Sequence, residues 1–446
     1  MAKIVLIGAG SRNFSKGIVT DVLLYPELRD CTISLMDIDK ERLDLTANFT
    51  RELVKQNGFK TKVEATTDRR KALQGADYVI VAIAVGKSRL DGQKITEKYG
   101  LPWDDTVGPN GIMYGNRHAQ AIVDIAHDME EICPNAWLLN YSNPQAIICW
   151  SLNDYTKIKN VGICPNARGG AFHLATRLNI PFEECSYWCA GINHFSWYLQ
   201  FKWNGKDAYP LLKEKFGGEG FYNGPDVGIK MDDEKGYLVG VDVVEIEMFK
   251  RFGYFTNGSG GHIPEYLPYF SRTPELFKHY RLDDFVELAK HMSAKRMATE
   301  AKIKQELSSH HQFELTREFR WTIFAVNVIH SLETGVERRI NLNVKNTGII
   351  TNLTNGCCVE VPCLVDREGV HPCYIGDLPP QCAALTQTSV NQQLLAVKAI
   401  AEKSKSKLLQ AMLLDPLTSS ILSIDQTEAM FNELFAWEKD YVKGFK

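Results

Sequence analysis

The sequence predicts an α/β protein whose N-terminal half is a doubly wound sheet and whose C-terminal half is an interlocked α+β domain. Three observations predict it. Short apolar runs alternate with helical periodicity through the first half, the pattern of a parallel sheet covered by helices. The first run, Lys3–Ile7, enters a glycine turn, Gly8-Ala9-Gly10-Ser11, and the second ends in a carboxylate, Asp37. At 446 residues the chain is also long for one core, so two domains are expected, 1–190 and 191–446.

The elements follow in order. Strands are expected at Lys3–Ile7, Thr32–Met36, Tyr78–Ala82, Trp137–Asn140 and Asn160–Ile163, each a compact apolar stretch. Helical periodicity lies between them, as in Asp39–Gln56 and Arg117–Ile132,. Together with the turn this is a Rossmann-like pattern of the lactate/malate dehydrogenase superfold. After His194 the rhythm changes to helices near Val243–Phe252, Thr273–Ile303 and Arg320–Thr334, with an irregular, glycine-rich piece at Asn257–His262. A strand-rich patch at Gly348–Val365 precedes a long helix near Gln381–Met412. No repeat, low-complexity tract or Pro/Ser linker separates the halves, which is why they are expected to interlock.

Composition excludes several functions. A formal net charge of −3 without a basic stripe argues against nucleic-acid binding,. No apolar run reaches the roughly 18 residues of a membrane span, and the N-terminus lacks the n- and h-regions of a signal peptide. Eleven scattered cysteines are odd in number and do not read as a disulfide framework,. A cytoplasmic enzyme is expected.

Gly8 suits a tight turn, and Gly10 the close approach of backbone to a pyrophosphate at a helix N-terminus, with Ser11 following. Asn13 stands where the usual third glycine would be. Asp37 can bind both ribose hydroxyls of an adenosine and would repel a 2′-phosphate, so NAD is favoured over NADP. Asn140, which ends its strand, is a further cofactor-binding candidate. Downstream, Gly162-Ile163-Cys164 and Gly191-Ile192-Asn193-His194 each close a strand-like stretch with a metal-ligating side chain. A thiolate with an imidazole suits a divalent transition metal.

These segments, with Gly108-Pro109, Asn140-Tyr141-Ser142-Asn143-Pro144, Gly253-Tyr254-Phe255, Glu265-Tyr266-Leu267-Pro268 and Asn355-Gly356-Cys357-Cys358-Val359-Glu360, resemble glycoside hydrolase family 4 nearly end to end. Within it they are most similar to the α-galactosidase branch. The family stands apart from two-carboxylate glycosidases. The resemblance implies oxidation at C3 of the sugar with NAD, loss of the C2 proton, elimination of the C1 oxygen and reversal after water addition. It implies Mn2+ or another divalent metal on Cys164 and His194, and Tyr266 as the C2 base. Tyr254, Tyr269 and Glu265 compete for that role. Asn143 would bind a sugar hydroxyl or cap its own turn.

One departure bears on substrate. Where the family has a polar residue after the cysteine, this chain has Pro165, in Cys164-Pro165-Asn166-Ala167-Arg168. Proline exchanges no side-chain proton, so Asn166 becomes the catalytic candidate beside the cysteine. Asn166 and Arg168 become substrate-binding candidates, Arg168 for a carboxylate or sulfonate. Gly115-Asn116-Arg117-His118 carries no assigned role. The expected substrate is an unphosphorylated α-glycoside, foremost an α-galactoside, and uronides or other anionic sugars are the alternative. A 2-hydroxyacid dehydrogenase or a catalytically silent sugar-binding protein are the competing classes. A homodimer or homotetramer is expected.

Overall fold

The computed structural model describes residues 1–11, 14–102, 106–217, 227–232, 237–309, 312–313, 315 and 324–446. Asn13 and the first residues of the helix expected from Arg320 lie outside the described residues.

Fourteen strands are described: β1 (Lys3–Ile7), β2 (Thr32–Met36), β3 (Lys62–Thr66), β4 (Tyr78–Val81), β5 (Trp137–Asn140), β6 (Lys159–Gly162), β7 (Cys185–Ile192), β8 (Phe195–Trp203), β9 (Lys206–Asp207), β10 (Gly228–Asp232), β11 (Tyr237–Val241), β12 (Arg338–Lys345), β13 (Cys358–Asp366) and β14 (Gly369–Pro372). The parallel part runs β3-β2-β1-β4-β5-β6, the doubly wound dinucleotide-binding order, whose ligand crevice lies at the carboxyl ends of the strands. The sheet continues antiparallel through β12, β13, β7, β8 and β9. The junction is narrow: Asn343 pairs with Gly162 of β6, Glu360 faces Asn343, and Gly191 of β7 pairs with Glu360.

Several elements differ from expectation. β3 and β12 are additional strands. Thr273–Ile303 is two helices, Pro274–His279 and Asp283–Ser308, separated where Arg281 takes a left-handed backbone. Gln381–Met412 is likewise two helices, Pro380–Glu402 and Lys405–Leu413, with left-handed Lys403 ending the first and the Ser404 side chain capping the second. The piece at Asn257–His262 runs into a short helix, Ser259–Tyr266. The helix expected from Arg117 starts earlier, at Gly108, with Pro109 in its first turn, where a missing N–H costs nothing.

One large core joins the sheet to its helices, and a second cluster lies beneath β7 and β8. Helix Asn166–Leu178 places Ala167, Ala171, Leu174 and Ala175 on one face, and that face packs on Cys189, Tyr198 and Phe201. The Tyr198 hydroxyl donates to the Ala167 carbonyl at 2.7 Å. This packing fixes the start of the helix, and with it the Cys164–Arg168 loop.

Candidate active site

The glycine turn after β1 is fully built. Gly8 has φ +92°, and a Cβ there would lie 2.3 Å from the Ala82 carbonyl oxygen, so no other residue fits,. The Gly8 and Ala9 N–H groups both donate to the Met36 carbonyl at 2.9 Å. Asp37 accepts from the Gly10 N–H at 2.7 Å and from the Asp39 N–H at 2.9 Å. Its carboxylate therefore stands at the mouth of the turn, where an adenosine ribose would arrive, while Ser11 closes the turn by donating its N–H to the Gly8 carbonyl at 2.9 Å. Asn140 is spent within the next loop: its amide donates to the Ser142 carbonyl at 2.9 Å and to Gln145, and accepts the Ser142 N–H at 3.1 Å. It shapes the surface there without offering free polar atoms. Asn143 is half-buried in the same loop, ahead of a cis peptide to Pro144.

The Cys164 and His194 loops meet at Asn193 and Glu360. The hairpin of β7 and β8 turns on two residues, Asn193 and His194, and His194 takes a left-handed backbone, φ +61°. Gly258 packs so close to it that a Cβ would sit 2.1 Å from the His194 carbonyl oxygen. The His194 N–H and the Asn193 amide lie against the Glu360 carboxyl, and Asn193 also lies against the Cys164 thiol. Burial pushes the Cys164 thiol well up, and Glu360 adds to this, while the Asn166 N–H and Asn193 work against it. Burial, then neighbouring His262, pushes His194 well down, which keeps the imidazole in the neutral, ligating form. Its Nδ1 is buried without a hydrogen-bond partner, as are both amide atoms of Asn193. Among the described residues no three His, Cys, Asp or Glu side chains converge as a metal cluster. A neutral imidazole with an unpartnered Nδ1, and a thiol that meets the same Asn193 side chain, are donor types that a divalent transition metal takes,.

Tyr266 is buried in the same place. Its hydroxyl donates to the Asn193 carbonyl at 2.9 Å and lies 3.1 Å from the Thr106 hydroxyl. The competing residues are placed otherwise: Tyr254 packs on Tyr209, Tyr269 is exposed beside Phe252, and Glu265 accepts from the Thr106 N–H at 2.8 Å. Glu265 also holds His262 at 2.8 Å, and the His262 ring stacks on His194 with centroids 3.8 Å apart. Asn166 contributes its backbone to Cys164. Arg168 extends outward between Phe182 and Phe324.

Two contributors were not assigned from sequence. Glu360 is fully buried, accepts from the Asn257 amide at 3.2 Å through Oε2, lies against the His194 N–H and the Asn193 amide, and is pushed by burial up to about 8. Its signal was a lone carboxylate between Val359 and Val361 in a strand. His262 was legible as a histidine three residues before Glu265, a helical spacing. The unassigned Asn116-Arg117-His118 segment is structural. Arg117 forms a buried ion pair with Glu438, Asn116 reaches the Tyr441 carbonyl, and His118 accepts the Val85 N–H at 3.0 Å.

The model of the family described as "Family 4 glycosyl hydrolase" matches residues 3–180, and that of its C-terminal domain matches residues 189–418. An α-galactosidase of Bacillus subtilis (strain 168) is 35% identical over 455 residues, covering 100% of both chains. The crystal structure of a 6-phospho-α-glucosidase from gut microorganisms, in complex with NAD and Mn2+, has a TM-score of 0.81 at 22% identity, covering 99% of this chain and 98% of that one. A malate dehydrogenase of Cryptosporidium parvum has a TM-score of 0.53 at 14% identity over 90% of this chain and 99% of its own, as the superfold expectation requires.

Proposed function

The chain belongs to glycosyl hydrolase family 4, and from that premise we propose that it cleaves an unphosphorylated α-glycoside, foremost an α-galactoside, by oxidation at C3, deprotonation at C2 and elimination at C1. The observation that carries this reading is the convergence of Cys164, His194 and Tyr266 on Asn193. The α-galactosidase of B. subtilis supports the choice of sugar.

Gly8, Gly10 and Ser11 would hold the pyrophosphate of NAD, with Asp37 on the adenosine ribose and the Asn140 loop shaping the pocket. Cys164 and His194 would hold a divalent metal, Mn2+ first. When bound, these groups supply an electron acceptor for the C3–H bond and positive charge beside the C2 and C3 oxygens. The rest falls to the chain. The Tyr266 hydroxyl, fixed between Thr106 and the Asn193 carbonyl, is placed to take the C2 proton. Asn143 and Asn166 are assigned to sugar hydroxyls. Asn166 also takes the place beside the leaving group that Pro165 cannot fill, and Arg168 borders the substrate. Glu265 holds His262 against His194 and so fixes the ligand's ring. The division into cofactor and substrate domains is placed near residue 190. Eleven unpaired cysteines support a reducing compartment, the cytoplasm,, and a homodimer or homotetramer is the proposed assembly.

Nitrophenyl α- and β-glycosides test the reading. Aglycone release should require both NAD+ and Mn2+ under reducing conditions. Release without NAD+, or net NADH formation from a 2-hydroxyacid without glycoside cleavage, would contradict it.

A further inference from the structure

The helix that carries Tyr266 is poorly built to stand alone. Ser259–Tyr266 is eight residues long, holds Gly260, Gly261 and an internal Pro264, and receives no side-chain cap from Gly258. Glycine and proline are the weakest helix formers, and so short a segment is marginal even with better residues. Ser259 enters it with a left-handed backbone, φ +51°, an uncommon conformation outside glycine. Yet this helix sets the place of Tyr266, and of His262 stacked on His194, so its order must come from its surroundings. Asp242, the buried residue that follows β11, reaches it from another element. Its two carboxylate oxygens serve two helices. Oδ1 accepts from the Val244 and Glu245 N–H groups at 2.9 and 3.3 Å, capping helix Val243–Phe252. Oδ2 accepts from the Gly260 N–H at 2.6 Å, 18 residues along the chain. Only glycine allows this approach: a Cβ on Gly260 would lie 3.0 Å from Asp242 Oδ1 and 2.5 Å from the Phe285 ring. Glu245, beside Asp242, forms a buried ion pair with Arg177, the cation that offsets both carboxylates.

We propose that Asp242 is a positioning residue: its carboxylate bridges the N-termini of helices Val243–Phe252 and Ser259–Tyr266, and so fixes Tyr266 against the reacting carbon of the sugar. This role rests on the glycosidase reading and deepens it, because it names what holds the proposed base. A plain N-cap needs one oxygen, and serine, threonine or asparagine would serve. Asp242 spends its second oxygen on a helix whose own N-cap residue, Gly258, has no side chain to offer. A carboxylate also gains from standing at two helix N-termini at once. Arg177 belongs to helix Asn166–Leu178, which begins beside Cys164. One buried chain of contacts, Arg177 to Glu245 to Asp242 to Gly260, therefore joins the helix that starts at the metal loop to the helix that ends in the base.

The test uses the full chain supplied with NAD+ and Mn2+, as Asp242→Asn and Asp242→Ser. Asparagine keeps the shape but has only one accepting oxygen. Serine can cap helix Val243–Phe252 and is too short to reach Gly260. On a nitrophenyl α-glycoside that wild type cleaves, each should lower kcat by about 10- to 100-fold, the scale of an ångström-sized displacement of a reacting group, with KM and NAD affinity nearly unchanged. The isotope effect for substrate deuterated at C2 should rise in both, because loss of that hydrogen becomes the slower step. Hydrogen exchange should quicken across residues 259–266, and in Asp242→Ser it should stay slow across 243–252. Ser423→Ala, which removes the cap of helix Ile424–Trp437, should lower the melting temperature and leave kcat unchanged, separating lost stability from lost position. Wild-type kcat and isotope effect in the Asp242 variants overturn the proposal, whatever their melting temperature. If neither variant folds, exchange of the wild-type Gly260 amide decides. Exchange as slow as inside helix Val243–Phe252 supports the bridge, and exchange as fast as an exposed amide overturns it. No aglycone release by wild type would contradict the glycosidase reading instead, with the exchange measurements still deciding the bridge.

Discussion

The turn at Gly8 and the pocket at Cys164 sit on strands of one sheet, yet they treat their polar groups in opposite ways. Around Gly8, the turn N–H groups reach the Met36 carbonyl and the Asp37 carboxylate, so the frame is complete before any ligand arrives. Around Cys164, the Nδ1 of His194 and both amide atoms of Asn193 are buried and unpaired. Buried polar groups are nearly always satisfied, and each exception asks for an explanation. The contrast separates two kinds of site. On the proposed assignment a dinucleotide would be received by preformed backbone geometry, whereas the Cys164 pocket holds buried polar atoms whose cost would be offset by a metal and a sugar. Another buried glutamate, Glu438, is neutralised by Arg117. Among the described residues Glu360 has no such cation.

The largest effect should come from emptying the second region. A Cys164→Ser, His194→Ala double variant should lose Mn2+-dependent turnover altogether while retaining NAD binding by fluorescence titration. Retained activity without metal would remove the distinction between the regions. Tyr266→Phe keeps the ring that packs 5.3 Å from Phe195 and loses only the hydroxyl. Its kcat should fall by about 10²–10⁴-fold, the usual range for a general base, with Mn2+ affinity nearly unchanged.

Glu360→Gln sharpens the comparison because it should move stability and function in opposite directions. In metal-free protein, burial raises this carboxyl from 4.5 to about 8. Between those values the folded chain keeps a proton that the unfolded chain has lost, so Glu360 costs stability as pH rises through that window. The metal-free variant should therefore resist urea better than wild type at pH 8, by about 1–3 kcal/mol, with the advantage fading toward pH 4.5. Its Mn2+ affinity should fall by about 10- to 100-fold, as for other groups that orient a metal ligand. The smallest effect belongs to the preformed region: Asp37→Ala should weaken NAD by about tenfold and narrow the discrimination against NADP. Equal affinities before and after would detach Asp37 from the ribose.

Much of the first region was legible because its signals are local. β1 and β2 begin and end where the apolar runs do, since glycine, lysine and aspartate punctuate them. β3 was hidden by its sequence, Lys62-Val63-Glu64-Ala65-Thr66, half-exposed at the sheet edge with charged residues between apolar ones. β12 was hidden for a different reason: Asn343 is polar but buried where the parallel and antiparallel parts of the sheet meet. The roles of Arg117 and Glu360 depend on partners far along the chain, Glu438 and the Asn193–His194 hairpin, which no local pattern announces. The helix break at Lys403 turns on a single left-handed residue, too small a signal against strong helical periodicity on both sides.

The central claim is that Tyr266, beside the metal pair, removes the C2 proton of an oxidised sugar, and it is tested most directly by the fate of that hydrogen. The protein, supplied with NAD+ and Mn2+, is allowed to hydrolyse an α-glycoside completely in deuterium oxide, and the released sugar is examined by NMR. The account predicts deuterium at C2. A product that keeps its original C2 hydrogen through full turnover would contradict it.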